Sequence, residues 1–206
     1  MILIASMFLV SIGYTMVIPF LPLYLLDIGV PEESIAIWTG IVFSSCFLVA
    51  GIMGPVWGKM ADTRGKKQMA IRAAVLLGFS YLFCGLSQNA WQMTAARAFM
   101  GFSNGFVAAS MAIFSVSADP KSLGATLGMG QTALIVGGIA GPLVGGTLAH
   151  LIGIRNTFFI SAAFLWFVAV LVILYVREPK LGMVKKVESK ATTIGEDLSY
   201  AFHNGH

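Results

Sequence analysis

The chain is 206 residues long, 57% hydrophobic and only 11% charged, with a formal net charge of +4 at pH 7 and a mean hydropathy of +0.85. A soluble domain carries roughly 25% charged residues, so this chain has too few polar side chains to cover a water-facing surface, and a soluble enzyme or binding module is excluded. At about 20 residues per membrane-spanning helix, the length has room for about six or seven spans and none for a large soluble catalytic domain.

Uncharged apolar stretches bounded by charge or turn residues predict six spans: Ile2 to Leu26, Ile37 to Gly58, Met69 to Leu86, Trp91 to Val116, Leu123 to Leu151 and Thr157 to Val176. The expected fold is all-α and integral to the membrane, a six-helix bundle over 1–177 followed by a cytoplasmic segment, 178–206. The first stretch differs from a signal peptide: it has no basic n-region, its apolar run is too long, and it carries Pro19 and Pro22. It is expected to be a retained span.

Lysine and arginine collect in loops on the cytoplasmic side of a membrane. The loop from Asp27 to Ala36 holds Asp27, Glu32 and Glu33 and no base. The next loop holds Lys59, Arg64, Lys66 and Lys67; Lys121 follows the fourth span, and Arg177, Lys180, Lys185, Lys186 and Lys190 follow the sixth, against Arg155 alone on the other side. Both termini are therefore expected in the cytoplasm of a multi-pass plasma-membrane protein. This asymmetry explains the pI of 9.2 without a nucleic-acid partner. Arg72 and Arg97 fall within or at the ends of spans. Arg72, nearer the cytoplasmic end, is expected to snorkel to the interface.

Cys46 and Cys84 sit in apolar runs, without the spacing of a disulfide framework or a zinc site, and are expected to be buried thiols. No Gly-rich Lys-Ser/Thr loop or His/Glu metal spacing is present, and His203 and His206 belong to the polar tail. No enzymatic activity, metal or organic cofactor is expected.

Span two contains Gly51-Ile52-Met53-Gly54-Pro55-Val56-Trp57-Gly58, and span five Gly138-Ile139-Ala140-Gly141-Pro142-Leu143-Val144-Gly145. With one inserted residue the match continues, Ala61, Gly65, Lys67, Ala74 and Leu77 answering to Ala149, Gly153, Arg155, Ala162 and Leu165, while His150 replaces Asp62. Copies three spans apart run in opposite directions, the pattern of a 3+3 inverted repeat found in secondary transporters.

The segment Gly58-Lys59-Met60-Ala61-Asp62-Thr63-Arg64-Gly65-Lys66-Lys67 sets one carboxylate among four cations in a tight turn. Such a cluster can hold helix ends together in one conformation and release them in another. It resembles the G-x-L-A-D-R-x-G-R-K signature of the major facilitator superfamily: Gly58, Asp62, Gly65, Lys66 and Lys67 match, and Arg64 carries the base one place after Thr63. The resemblance implies a cytoplasmic latch that stabilises an outward-open state.

Gly137, Gly141, Pro142, Gly145 and Gly146 form a run in which glycines four apart clear one helix face and the proline is expected to kink the backbone. The run resembles the antiporter motif of the superfamily's drug:proton exporters. Arg97, deep in span four, costs on the order of 3 kcal/mol to insert and should face the interior. It resembles the family's R-x-x-Q-G motif, with Met100 in place of the glutamine, which implies a part in proton coupling. No acid falls mid-span, and Asp27, after span one, is the nearest coupling candidate. Tyr14, Asn104 and Gln131 are candidates for lining a substrate cavity.

The resemblance runs from Ser6 to about Lys190 and is closest to the N-terminal half of bacterial twelve-span multidrug exporters. It implies proton-coupled export of hydrophobic or amphipathic drugs, driven by the proton gradient. The implied partners are the lipid bilayer, a small amphipathic substrate and a C-terminal six-span half, in the same chain or a separate one. Two alternatives stay open: a truncated or split membrane polypeptide without transport of its own, and a transporter of a different small solute on the same fold.

Overall fold

The computed structural model describes residues 2–119 and 121–176; the side chains of Ile2, Asp62 and Arg64, and residues 177–206 with the expected tail and its His203 and His206, lie outside the described residues. Within a bilayer no water is available to the peptide groups, so a chain of this composition folds as helices that satisfy their hydrogen bonds internally. The described residues form α1 (Ile2–Thr15), α2 (Leu21–Asp27), α3 (Ile35–Arg64), α4 (Lys66–Leu86), α5 (Ala90–Ser103), α6 (Phe106–Ser117), α7 (Leu123–Ile152) and α8 (Ile154–Tyr175). Six segments are long and apolar enough to cross a membrane, α1 with α2 forming one and α5 with α6 another. The chain is a multi-pass membrane protein.

Two of the six spans are broken. In the first, Pro19 has no N–H to give, and one turn of 3-10 helix, Ile18–Phe20, joins α1 to α2. The Tyr14 carbonyl beside this break accepts a hydrogen bond from the Tyr81 hydroxyl on α4. The stretch expected to run unbroken from Trp91 to Val116 stops at Asn104, because Gly105 takes a φ of +125°, open at low cost only to glycine. Here the Asn104 carbonyl accepts from Arg72 Nη2 at 3.0 Å. In both places a side chain of α4 supplies a donor that the interrupted helix lacks.

The second span continues beyond Gly58, where it was expected to end, through Lys59, Met60 and Ala61 to Arg64. The expected turn shrinks to Gly65, whose φ of +98° ends α3 before α4 begins at Lys66. Gly153 repeats the arrangement between α7 and α8 with a φ of +85°. α3 and α7 are both 30 residues long, and each contains its proline, Pro55 or Pro142.

The three-span units are thus alike in order: a broken span, a 30-residue helix ending on a positive-φ glycine, then a third helix. They pack crosswise, α1 on α7, α5 on α3, and α4 on α8, which is the 3+3 inverted repeat. α4 lies at the centre, with Ala70, Ala73, Ala74, Leu77 and Tyr81 buried. α3 and α7 lie at the surface: 11% and 17% of their most apolar windows are buried, against 44% to 56% for the other spans.

Candidate functional site: helix seams, a buried arginine and a cavity

The latch motif occupies the end of α3 and the start of α4. Gly58 has open space on its Cα side, and Lys66 and Lys67 are the first two residues of α4. Lys67 Nζ donates to the carbonyl of Ile173, in the last turn of α8, at 2.9 Å. Asp62 and Arg64 share the final turn of α3.

The glycine run of α7 is a seam against α1. Gly137, Gly141 and Gly145 are buried and meet the backbone carbonyls of Phe8, Ile12 and Met16 in turn, four residues apart on both helices. A Cβ at Gly137 would stand 2.6 Å from the Phe8 oxygen, and one at Gly141 2.8 Å from the Ile12 oxygen. One at Gly145 would overlap the Met16 carbonyl. Ser11 Oγ ties the seam by donating to the Leu134 carbonyl at 2.7 Å. Gly146 faces Phe20, and Pro142 sits within the helix.

Arg97 lies at the centre of the bundle with 2% of its surface exposed. The Cys84 thiol lies near its guanidinium. Nη1 points to Met100 Sδ at 3.6 Å, and the Phe43 ring lies 5.8 Å away. Tyr14, Cys46 and Tyr81 stand close enough to feel its charge. Nε and Nη2 are buried without a partner among the described residues. Arg97 is thus a desolvated cation surrounded by soft sulfur, thiol and phenol groups, as the interior-facing expectation required. Cys46 and Cys84 are buried and unbridged.

The other expected residues are dispersed. Tyr14 belongs to the Arg97 cluster, but Asp27 is exposed at the end of α2 and Gln131 is exposed on α7. Asn104 caps α5 and accepts the Gly105 N–H on its own Oδ1 at 2.8 Å.

Arg72 does not snorkel. Its guanidinium carbon lies 3.5 Å from the centroid of the Trp57 ring, because the cation gains more from the indole face and the free Asn104 carbonyl than from extending along the helix. Trp57 is itself fixed, its Nε1–H donating to the Phe102 carbonyl at 2.8 Å. These residues wall a cavity of about 560 Å³ between α3, α4 and α6, with Gly54, Gly58 and Asn104 on its lining. Sequence reading missed the pair, although a tryptophan in the Gly-Pro run of α3 and an arginine seven residues into α4 were both in view.

The model of the Major Facilitator Superfamily matches residues 3–205. The chain belongs to the major facilitator superfamily. It is 38% identical over 180 residues to "Multidrug resistance protein MdtG" of Proteus mirabilis, covering 87% of this chain and 45% of that protein. The protein of the same name from Yersinia enterocolitica is also 38% identical, with 87% and 44% covered. The chain spans about half the length of the curated relatives it matches. Among solved structures, the human organic anion transporter MFSD10 (TETRAN) superposes with a TM-score of 0.72 at 17% identity, over 86% of this chain and 47% of that one. The peptide transporter POT in complex with alafosfalin gives 0.71 at 16% identity, over 98% and 42%. At such identities the superpositions show the fold alone.

Proposed function

We propose that this chain supplies the N-terminal six-span half of a proton-driven exporter of hydrophobic or amphipathic drugs. The observation that carries the reading is the 38% identity, over 87% of the chain, to multidrug resistance proteins. The antiporter-like glycine run of α7 supports export over uptake. The exposed α3 and α7 are the faces a second six-span half would cover, and substrate would bind between the halves.

In this reading the end carrying Lys59, Lys66 and Lys67 faces the cytoplasm, both termini lie on that side of the plasma membrane, and residues 178–206 begin a loop to the second half. Asp62 and its neighbouring bases latch that face shut. Arg97, desolvated and with Nε and Nη2 unpartnered among the described residues, supplies the fixed charge against which a proton or a substrate group is exchanged. Tyr14 joins it from α1, and Gln131, exposed on α7, would meet substrate between the halves. Asp27 is the second coupling candidate. The proton gradient is the sole energy source, with no cofactor and no catalytic step.

In the full-length transporter, Asp62→Asn and Arg97→Ala should each abolish protonophore-sensitive ethidium efflux while the protein remains in the membrane. Normal efflux in both would overturn these roles. A competition panel of lipophilic cations, sugars and metabolites against ethidium tests the substrate class, and competition by sugars or metabolites alone would replace drug export with transport of another solute.

A further inference from the structure

The α3–α4–α6 cavity uses none of the groups assigned to the seam, the latch bases or the Arg97 cluster. Its volume of about 560 Å³ is within the range that encloses drug-sized ligands, roughly 300–1,000 Å³. Ala108, Ala109 and Ala112 line it as an apolar wall from α6, and Gly54 lines it from α3 beside Trp57. The opposing wall is Trp57 with the Arg72 guanidinium laid on it.

Arg72 is held in place but not satisfied. Nη2 donates to the Asn104 carbonyl, the planar group rests on the indole, and Trp57 is pinned to Phe102 by a hydrogen bond and an edge contact at 5.0 Å. Nε and Nη1 are buried and have no hydrogen-bond partner among the described residues. No aspartate or glutamate is among the described residues lining the cavity. A buried donor left unpaired is costly, and a guanidinium binds a planar oxyanion with charge-assisted, directional bonds. An amphipathic cation would meet the same positive charge as a repulsion.

We propose that this cavity is a binding site for an organic anion, in which a carboxylate, sulfonate or phosphate group engages Arg72 and an apolar body lies between Trp57 and the alanine wall. The site takes a ligand class opposite in charge to the probe ethidium, and its occupancy does not depend on export.

The test is equilibrium binding of 1-naphthoate, followed by its own fluorescence, to the complete chain in phosphatidylcholine nanodiscs, with neutral 1-naphthalenemethanol as the matched control. The expected result is at least tenfold tighter binding of naphthoate. Arg72→Gln should remove that preference, and Ala108→Phe, which fills the cavity and leaves Arg72 in place, should abolish naphthoate binding. Equal affinity for the two probes in the parent chain, or undiminished naphthoate binding in Ala108→Phe, overturns the proposal. Should Arg72→Gln fail to fold through loss of its bond to Asn104, those two comparisons still decide it. Nanodiscs containing phosphatidylglycerol separate the sources of the anion: displacement of naphthoate assigns the site to a lipid phosphate, and unchanged affinity assigns it to soluble organic anions.

Discussion

Lys67 and Arg155 clamp opposite ends of the same helix pair. Each is the second residue of its helix, Lys67 in α4 and Arg155 in α8, and each reaches carbonyls at the far end of the other. Lys67 Nζ donates to Ile173 at 2.9 Å, and Arg155 Nη2 donates to Ser87 at 3.1 Å while its Nε donates to the Tyr24 hydroxyl. The last carbonyls of a helix have no partner within it and carry the negative end of its dipole, so a cation is favoured at both places. The two residues correspond in the internal repeat, and its pseudo-symmetry is preserved down to individual hydrogen bonds.

Lys67→Ala and Arg155→Ala are each expected to lower the stability of the purified chain by about 1 kcal/mol. The two effects should add to within about 0.5 kcal/mol, because the sites lie at opposite ends of the helix pair. Circular-dichroism melts in detergent measure both quantities, and unaltered melting in both variants would show that neither clamp bears on stability.

The seam between α1 and α7 predicts a position-specific response to one methyl group. Gly145→Ala collides with the Met16 carbonyl, and Gly141→Ala with Thr15 and the Ile12 carbonyl. Backbone cannot yield as a flexible side chain does, so each should cost about 2 kcal/mol or more and reduce the yield of folded protein. Gly128→Ala, with nothing within 4 Å of the new Cβ, should be neutral. Similar losses at all three positions would contradict close packing at the seam, because helix propensity alone favours alanine over glycine at each.

Arg97 predicts opposite signs for stability and transport. A buried guanidinium with two unpaired nitrogens is destabilising, and an apolar replacement of similar length removes that penalty. Arg97→Met should raise thermal stability by on the order of 1 kcal/mol and abolish transport by the chain paired with a second six-span half. A fall in both would mean that the arginine holds the bundle together.

The spans and the glycine seam were legible in the sequence because hydropathy and four-residue spacing are local signals. The Asn104-Gly105 break was not separated from its span, since two residues barely change the hydropathy of a 28-residue segment, although such a pair marks a turn. Arg72 was misread because its distance from the helix end favoured snorkelling, whereas its place is set by Trp57 and Asn104, distant in sequence and adjacent only after folding. The turn expected from Gly58 to Lys67 is helical to Arg64, because nothing in Lys59-Met60-Ala61 stops a helix until Gly65 does.

Orientation can be read by single-cysteine labelling in intact cells. Cys46 and Cys84 are 4% and 0% exposed, so they should give little background with a membrane-impermeant maleimide. Lys59→Cys should be protected from outside and Glu33→Cys labelled. The reverse pattern would invert the assignment of the basic end.

The most direct test of the account is transport by the 22.0 kDa chain in proteoliposomes, alone and co-reconstituted with a C-terminal six-span half from a full-length relative. The chain alone should not move ethidium in response to an imposed pH gradient, and the paired halves should do so in a protonophore-sensitive manner. Gradient-driven transport by the chain alone, or no transport by an assembled pair, would contradict the proposal that it is one half of a proton-driven exporter.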